Sequence, residues 1–265
     1  MNIKNFIYFH VFPLINRVLR PISLKIATTR TPNRNFEEFF LHLKKNNYQI
    51  KTVIDVGVGQ GTHSLYRGTT GAEYILVEPV PDSKKVVAKI ADQLKAKFFN
   101  VAAGDVDGMI EFNFHDDVTG SSIYRQTESD ERLNGKLISV PMRRLDTLLA
   151  DGVKSPCLLK IDTQGAEINV LKGATNILPM IDMIICEVSF HQFRHGTPEA
   201  GEVVAEMAKC GYVLYEILEG HYRPLDNALA QVDMVFVRET SPLRSQKSFF
   251  TEAQVDSYIK TGATH

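Results

Sequence analysis

The sequence predicts an α/β fold: a doubly wound, Rossmann-like, seven-stranded sheet, mostly parallel, with an antiparallel hairpin at its C-terminal edge. Three observations predict it. Short apolar runs alternate with helical segments from residue 35 onward, the pattern of successive βαβ units. The first run, Val53-Ile-Asp-Val56, passes straight into Gly57-Val-Gly-Gln-Gly61, a turn that feeds a buried strand into a helix. The last two β segments, 212–218 and 232–237, have no helix between them and so must pair antiparallel. At 265 residues the chain is long enough for one large domain with a full core.

Each element follows from local chemistry. Residues 35–46 read as a helix with an Asn35 cap, acids in the first turn and lysines in the last. The first strand is expected over 51–56 and the second over 73–78. A helix near 83–94 follows, with Asp82 as its cap. The third strand is expected over 97–103. Residues 109–115 alternate apolar and polar, as a half-exposed strand does. Residues 138–142 make another short strand, and 145–150 a helix. The stretch 105–150 is an insertion, longer than a strand-helix-strand connection needs, and is expected to help form the substrate pocket. Strands at 157–162 and 183–187 follow, with a helix at 165–178 between them and another at 198–209, ended by Gly211. Thr251 and Gln254 form a capping box for a last short helix. The organisation expected is an arm over 1–34, a main domain over 35–240 and a tail over 241–265.

The glycine turn points to a ligand. Glycines let backbone approach a bound group with no Cβ in the way, and a helix start offers free N–H groups. A dinucleotide fingerprint would put its third glycine at position 62, which is Thr; here the third glycine is Gly61. That Gly-x-Gly-x-Gly spacing suits S-adenosylmethionine (AdoMet). Glu78 ends the second strand, where an acid accepts hydrogen bonds from ribose hydroxyls. Asp55, Glu78, Asp162 and Glu187 all fall near strand ends, the edge at which such sheets bind ligands. A charge is costly to bury unless paired, so four such acids favour a binding or catalytic rim.

Composition bounds the remainder. The formal net charge is −1, which argues against nucleic acid as a partner. Cys157, Cys186 and Cys210 are isolated, which fits a reducing cytoplasm rather than a disulfide framework. Residues 1–36 hold Lys4, Arg17, Arg20, Lys25, Arg30 and Arg34 but no acid. No apolar run there is long enough to span a bilayer. One reading is an arm that packs on the domain or on a second subunit, making a homo-oligomer. The other is a basic amphipathic segment on an anionic membrane surface, peripheral to the inner face.

Several segments together resemble the FkbM-type methyltransferases. They are Val53-Ile-Asp-Val-Gly-Val-Gly-Gln-Gly-Thr62, Val77-Glu-Pro-Val-Pro81, Asn100-Val-Ala-Ala-Gly104, Gly120-Ser-Ser122, Arg144-Leu-Asp-Thr147, Leu159-Lys-Ile-Asp-Thr-Gln-Gly-Ala-Glu-Ile-Asn-Val-Leu-Lys-Gly-Ala174 and Glu187-Val-Ser189. The resemblance covers about residues 50–215, and the 159–174 string is its most specific part. The family commonly has Ala-Asn where this chain has Val58-Gly59, and the first 34 residues lie outside the pattern. The resemblance implies a class I methyltransferase fold, AdoMet as methyl donor, and methylation of a hydroxyl on a sugar, glycan or other small metabolite.

Methyl transfer from a sulfonium is an in-line displacement in which the weakly acidic hydroxyl proton must also leave. Asp55, Gly57, Gly59, Gly61, Glu78, Asn100, Val101, Ala102 and Asp162 are the expected cofactor-binding residues. Asp162, Glu187 and His191 are the expected catalytic ones. Asp162 and Glu187, on adjacent strand ends, could share a Mg²⁺ ion or a proton; alternatively Asp162 holds the AdoMet ammonium or orients the acceptor. His191 and His195 flank Arg194 in the loop after the fifth strand, where a histidine suits a general base or is a plain surface residue. Asp146 is expected to cap or to pair with Arg143 or Arg144. Glu167 either faces the pocket or complements a helix dipole. A different class also accounts for the arm: a membrane-surface AdoMet-binding regulatory protein without catalysis.

Overall fold

The computed structural model describes residues 11–19, 34–80, 84–115 and 120–261. The chain divides into two compact units, Met1–Asn33 and Arg34–His265. The first contributes one described helix, α1 (Phe12–Leu19), with Arg17 in its last turn. The expected cap Asp82 and most of the arm's basic residues lie outside the described residues.

The second unit opens with α2 (Phe36–Lys45), held by a complete capping box between Asn35 and Glu38. Then come β1 (Thr52–Val56), α3 (His63–Gly68), β2 (Glu73–Val77), α4 (Lys84–Leu94) and β3 (Lys97–Phe99). The insertion holds β4 (Ala102–Ala103), β5 (Gly108–Phe114) and β6 (Lys136–Arg143), followed by α5 (Leu145–Leu148). The main sheet resumes with β7 (Cys157–Ile161), α6 (Glu167–Lys172), β8 (Met183–Ser189), α7 (Ala200–Lys209), β9 (Tyr212–Tyr222) and β10 (Leu229–Arg238). A last helix, α8 (Glu252–Thr261), starts at the Thr251–Gln254 capping box.

The main sheet has seven strands in the order β3-β2-β1-β7-β8-β10-β9. All neighbours are parallel except β10, which runs antiparallel to both β8 and β9. Each face carries its own core. Ile54, Val56, Leu159, Ile161, Ile184 and Cys186 pack with α5, α6 and α7. Val53, Leu76, Leu158, Met183, Ile185 and Val235 pack with α2, α3 and α4. The doubly wound reading therefore holds, helices covering both faces of strands that are apolar on both.

Three elements differ from expectation by more than two residues at a boundary. The third strand is not continuous over 97–103. It leaves the main sheet after Phe99, and Ala102–Ala103 joins a separate three-stranded sheet, β4-β6-β5. Asn100 makes the break, its side-chain amide donating to the Glu78 carbonyl at 2.8 Å. The helix expected over 165–178 spans only Glu167–Lys172 and is capped by Gly173, where a Cβ would lie 1.8 Å from the Gly104 carbonyl oxygen, so the position admits only glycine. The hairpin is longer than expected; the added residues of β9 and β10 carry Glu219, His221 and Gln231 to the ligand edge. The insertion has a small core of its own, built by Val80, Ala102, Phe112, Phe114, Val140 and Met142.

Candidate active site

A cavity of about 780 Å³ opens at the carboxyl ends of β1, β2, β7 and β8. Its floor is the glycine turn. Gly57 has φ +80°, and a Cβ there would lie 1.8 Å from the Asp162 carbonyl oxygen, so only glycine lets β1 turn against the end of β7. The Gly59 N–H donates to Glu78 Oε2 at 2.8 Å, and the Val80 N–H to Oε1 at 3.0 Å. Glu78 is thereby locked at the tip of β2, with lone pairs remaining on both oxygens. Burial raises its pKa, and the two N–H groups oppose that rise. Gly57, Gly59, Gly61, Glu78, Ala102, Asp162 and Glu187 line the cavity. The backbone cradle and fixed carboxylate fit a nucleoside cofactor with a ribose diol.

Asp55 sits elsewhere. It points to the face shared with Val53, is fully buried beneath the turn, and accepts from the Tyr66 hydroxyl at 2.5 Å. Burial raises its pKa. It supports the turn from below rather than lining the cavity. The reason is strand alternation: Val56, next along β1, takes the opposite face. Asn100 and Val101 also fall outside the lining, and Asn100 acts on the Glu78 backbone instead. His191 lies in the loop beyond β8, against the Phe193 ring, and does not line the cavity either.

At the other end of the cavity two charges that the motif reading did not single out, Lys160 and Asp233, stand beside the expected Asp162 and Glu187. Lys160 on β7 is 2% exposed, its ammonium 3.0 Å from Asp233 Oδ1 and 3.4 Å from Asp162 Oδ2. Asp55 pairs in register with Lys160, and Glu187 with Asp233. These residues share one face of β1, β7, β8 and β10, because each stands in phase with the Val53, Leu158, Ile185 and Val235 core. Burial pulls the Lys160 pKa down, but the surrounding carboxylates, Asp162 and Asp233 foremost, outweigh it and hold it well above the usual value. The signal was present in the sequence: a lysine inside Cys157-Leu-Leu-Lys-Ile161 and an aspartate inside Val232-Asp-Met-Val-Phe-Val237 need partners if those strands are buried.

Asp162 and Glu187 do come together, bridged by an amide. Gln164 Nε2 donates to Asp162 Oδ1 at 3.1 Å and to Glu187 Oε2 at 2.6 Å, and Gln231 Nε2 donates to the same Glu187 oxygen at 2.9 Å. N–H donors and the Lys160 ammonium fill the space between the acids, whereas Mg²⁺ needs a shell of oxygen ligands. Among the described residues no group of three or more His, Cys, Asp or Glu is arranged to hold a metal. The expected Mg²⁺ site at Asp162 and Glu187 does not fit this donor set. Burial, reinforced by the Asp162 carboxylate, pushes Glu187 up to about 8.

The insertion closes one side of the cavity through Ala102, Phe112, Gly120, Ser121 and Ile123. Ser122 ties it to β7's turn, its hydroxyl donating to the Gln164 carbonyl at 2.8 Å. Ser121 accepts from the His115 N–H at 3.0 Å. Glu167 is buried and accepts from the Gly165 N–H and the Thr163 hydroxyl, bracing the same turn. Asp146 pairs with Arg144 at 2.6 Å and caps the Asn176 and Ile177 N–H groups, away from the cavity.

The strand order and the turn-plus-acid site define a class I methyltransferase fold. The family model for the methyltransferase FkbM domain matches residues 55–214, and the chain belongs to that family. A curated relative, the hexuronic acid methyltransferase AglP of Haloferax volcanii, is 27% identical over 135 residues, covering 51% of this chain and 54% of that protein. The chain thus matches about half the length of that relative. Among solved structures, the 1,6-didemethyltoxoflavin-N1-methyltransferase of Burkholderia thailandensis is 12% identical with a TM-score of 0.41, covering 86% of this chain and 85% of that one. The magnesium protoporphyrin IX methyltransferase of Synechocystis is 8% identical with a TM-score of 0.41, covering 88% and 94%. Cys157, Cys186 and Cys210 are free thiols. No helix among the described residues is long and apolar enough to cross a membrane.

Proposed function

We propose that this protein transfers a methyl group from AdoMet to a hydroxyl of a sugar, a glycan or another small metabolite. The observation that carries the reading is the closure of the Gly57–Gly61 turn on Glu78 at one end of a cavity whose other end holds Asp162, Glu187, Lys160 and Asp233. The relative named for hexuronic acid supports a sugar as acceptor. When bound, AdoMet supplies an electrophilic methyl carbon on a sulfonium. Gly57, Gly59 and Gly61 hold its methionine end, and Glu78 its ribose. Asp162 fixes either the cofactor ammonium or the acceptor. Glu187 takes the acceptor's hydroxyl proton; Gln164 and Gln231 both grip Oε2, which leaves Oε1 for that role.

Calorimetric titration with AdoMet, its demethylated product and NAD tests the cofactor. Micromolar AdoMet binding, weakened about 10- to 100-fold by Glu78→Ala, is expected, since a charged hydrogen bond is worth about 1.5–3 kcal/mol. Folded protein that ignores AdoMet would sink the reading. Tritiated methyl transfer to a glycoside panel then tests the acceptor. The acid-free, basic residues 1–36 favour a second role, attachment to an anionic membrane surface. Equal flotation of the full chain with anionic and neutral liposomes would remove it.

A further inference from the structure

The β9 side of the cavity, lined by Phe36, Glu219 and His221, has no part in the cofactor contacts proposed above. A bulge brings Glu219 there. Leu218 stands opposite Asp233 and Gly220 opposite Val232, so Glu219 has no partner on β10. A bulge of this kind re-aims a side chain out of strand alternation. The Glu219 N–H turns outward, to the Arg34 carbonyl at 3.3 Å. Its Oε1 accepts from the Phe36 N–H at 3.3 Å, in the first turn of α2. The carboxylate is thereby held against a buried wall. The Arg34 guanidinium pairs with Glu216 instead, and Glu219 Oε2 is left without a partner among the described residues.

The charges around this carboxylate decide what it can receive. Among the described lining residues the acids are Glu78, Asp162, Glu187, Glu219 and Asp233, and the one side chain with a fixed positive charge is Lys160. Lys160 is already shared by Asp162 and Asp233. The glycine turn that would hold AdoMet follows β1, four strands away from β9 in the sheet order. A cleft lined by one sign of charge focuses its field, so a group beside Glu219 is favoured if positive and disfavoured if negative. Glu219 and Glu187 belong to β9 and β8, with β10 between them, so about two strand spacings, or ~10 Å, separate their backbones. One hexose ring with a hydrogen bond at each end bridges that span.

We infer that Glu219 receives a protonated amine of the acceptor, so that the substrate class is an amino sugar. The inference rests on the methyltransferase reading of this cavity and deepens it. An ammonium is a donor only, and it meets Oε2 by a charge-assisted hydrogen bond while a hydroxyl of the same ring turns to Glu187. A neutral sugar would offer Glu219 a hydroxyl without the charge. A uronic acid would set a carboxylate against a carboxylate, with no unpaired cation among the described lining residues to receive it.

The test is calorimetry on the full chain loaded with S-adenosylhomocysteine, at about pH 6, below the usual range for such amines. The probes are methyl 2-amino-2-deoxyglucoside and methyl 6-amino-6-deoxyglucoside, each against methyl glucoside and methyl glucuronide. At least one amino glycoside should bind about fivefold or more tighter than methyl glucoside, the upper range for an ion pair that solvent still reaches. That preference should shrink as salt rises. Glu219→Gln keeps an oxygen for the Phe36 N–H but removes the charge, so it should erase the preference while leaving Tm and S-adenosylhomocysteine affinity in place. Glu219→Asp, which keeps the charge on a shorter arm, should lower the preference without abolishing it, and it carries the test if the Gln variant does not fold. Equal binding of amino and neutral glycosides, saturation by none of the probes, tightest binding of the uronide, or a preference that survives Glu219→Gln each overturns the inference. Absence of heat with S-adenosylhomocysteine itself overturns the cofactor reading and the inference with it, and is told apart because it appears in the loading titration.

Discussion

The two ends of the cavity are built by different means. The β1–β2 end is made of backbone: a glycine turn whose N–H groups bind one carboxylate, Glu78, from the neighbouring strand tip. Its parts lie within one stretch of chain, and its only buried charges are single acids held by N–H or O–H donors. The β7–β8–β10 end is made of side chains. Lys160, Asp162, Glu187 and Asp233 come from three strands, joined by the amides of Gln164 and Gln231. Backbone suits a cofactor that never changes, because its geometry needs no side-chain rotamer to be held. On the function proposed above, side chains suit the reacting end, where charge must shift during turnover and the acceptor must be told apart from its relatives.

The largest expected effect breaks the side-chain end. Lys160→Met leaves Asp162, Asp233 and Glu187 close together with no cation, and should cost about 3–5 kcal/mol, as removal of one partner from a buried pair does. Urea unfolding measures it. A second substitution, Asp233→Asn, should recover part of the loss; a cost below about 1 kcal/mol for Lys160→Met would mean that the ammonium is solvated and the row is not a unit.

The backbone end should break by a steric route. Gly57→Ala forces a Cβ into the Asp162 carbonyl at a φ of +80°, and should cost about 2–3 kcal/mol together with AdoMet affinity. Gly71→Ala is the control: φ there is +90°, yet nothing lies within 4 Å, so only the backbone strain of about 1 kcal/mol should appear, with affinity intact. Equal costs at the two positions would remove the close approach from the account.

The smallest effect sharpens the comparison. Glu187 has its folded pKa raised to about 8 from 4.5, so its folded form favours the proton. Its contribution to stability is therefore present at low pH and lost as pH rises from about 4.5 toward about 8. Glu187→Gln should raise Tm by a few degrees at pH 9 and by less at pH 6. In the wild type, kcat/KM should climb with pH through the same raised value as the carboxylate becomes free to take a proton. A flat profile between pH 6 and pH 9 would exclude Glu187 as the base.

Much of this architecture was legible in the chain. Alternating apolar runs, glycine spacing and capping boxes are local: strand period, left-handed turns and cap hydrogen bonds depend on neighbours a few residues away. They sufficed for the sheet, the hairpin edge, the Gly57–Gly61 turn and Glu78. Asp55 shows the limit. A strand-end acid reads the same whether it faces the ligand or the core, and only the packing of Tyr66 beneath β1 turns it inward. Asn100 and His191 were near the site in sequence order but not in its wall.

What the sequence by itself determined is therefore the fold class and the backbone cradle, since both arise from short-range geometry that a linear string contains. Tertiary structure alone decided the partnership of Lys160 with Asp162 and Asp233, the amide bridge from Gln164 to Glu187 and Gln231, and the seating of Glu219 against the Phe36 N–H. Those groups are far apart along the chain. Which of them meet is set by strand order and register, and a buried charge takes its role from whatever stands across from it.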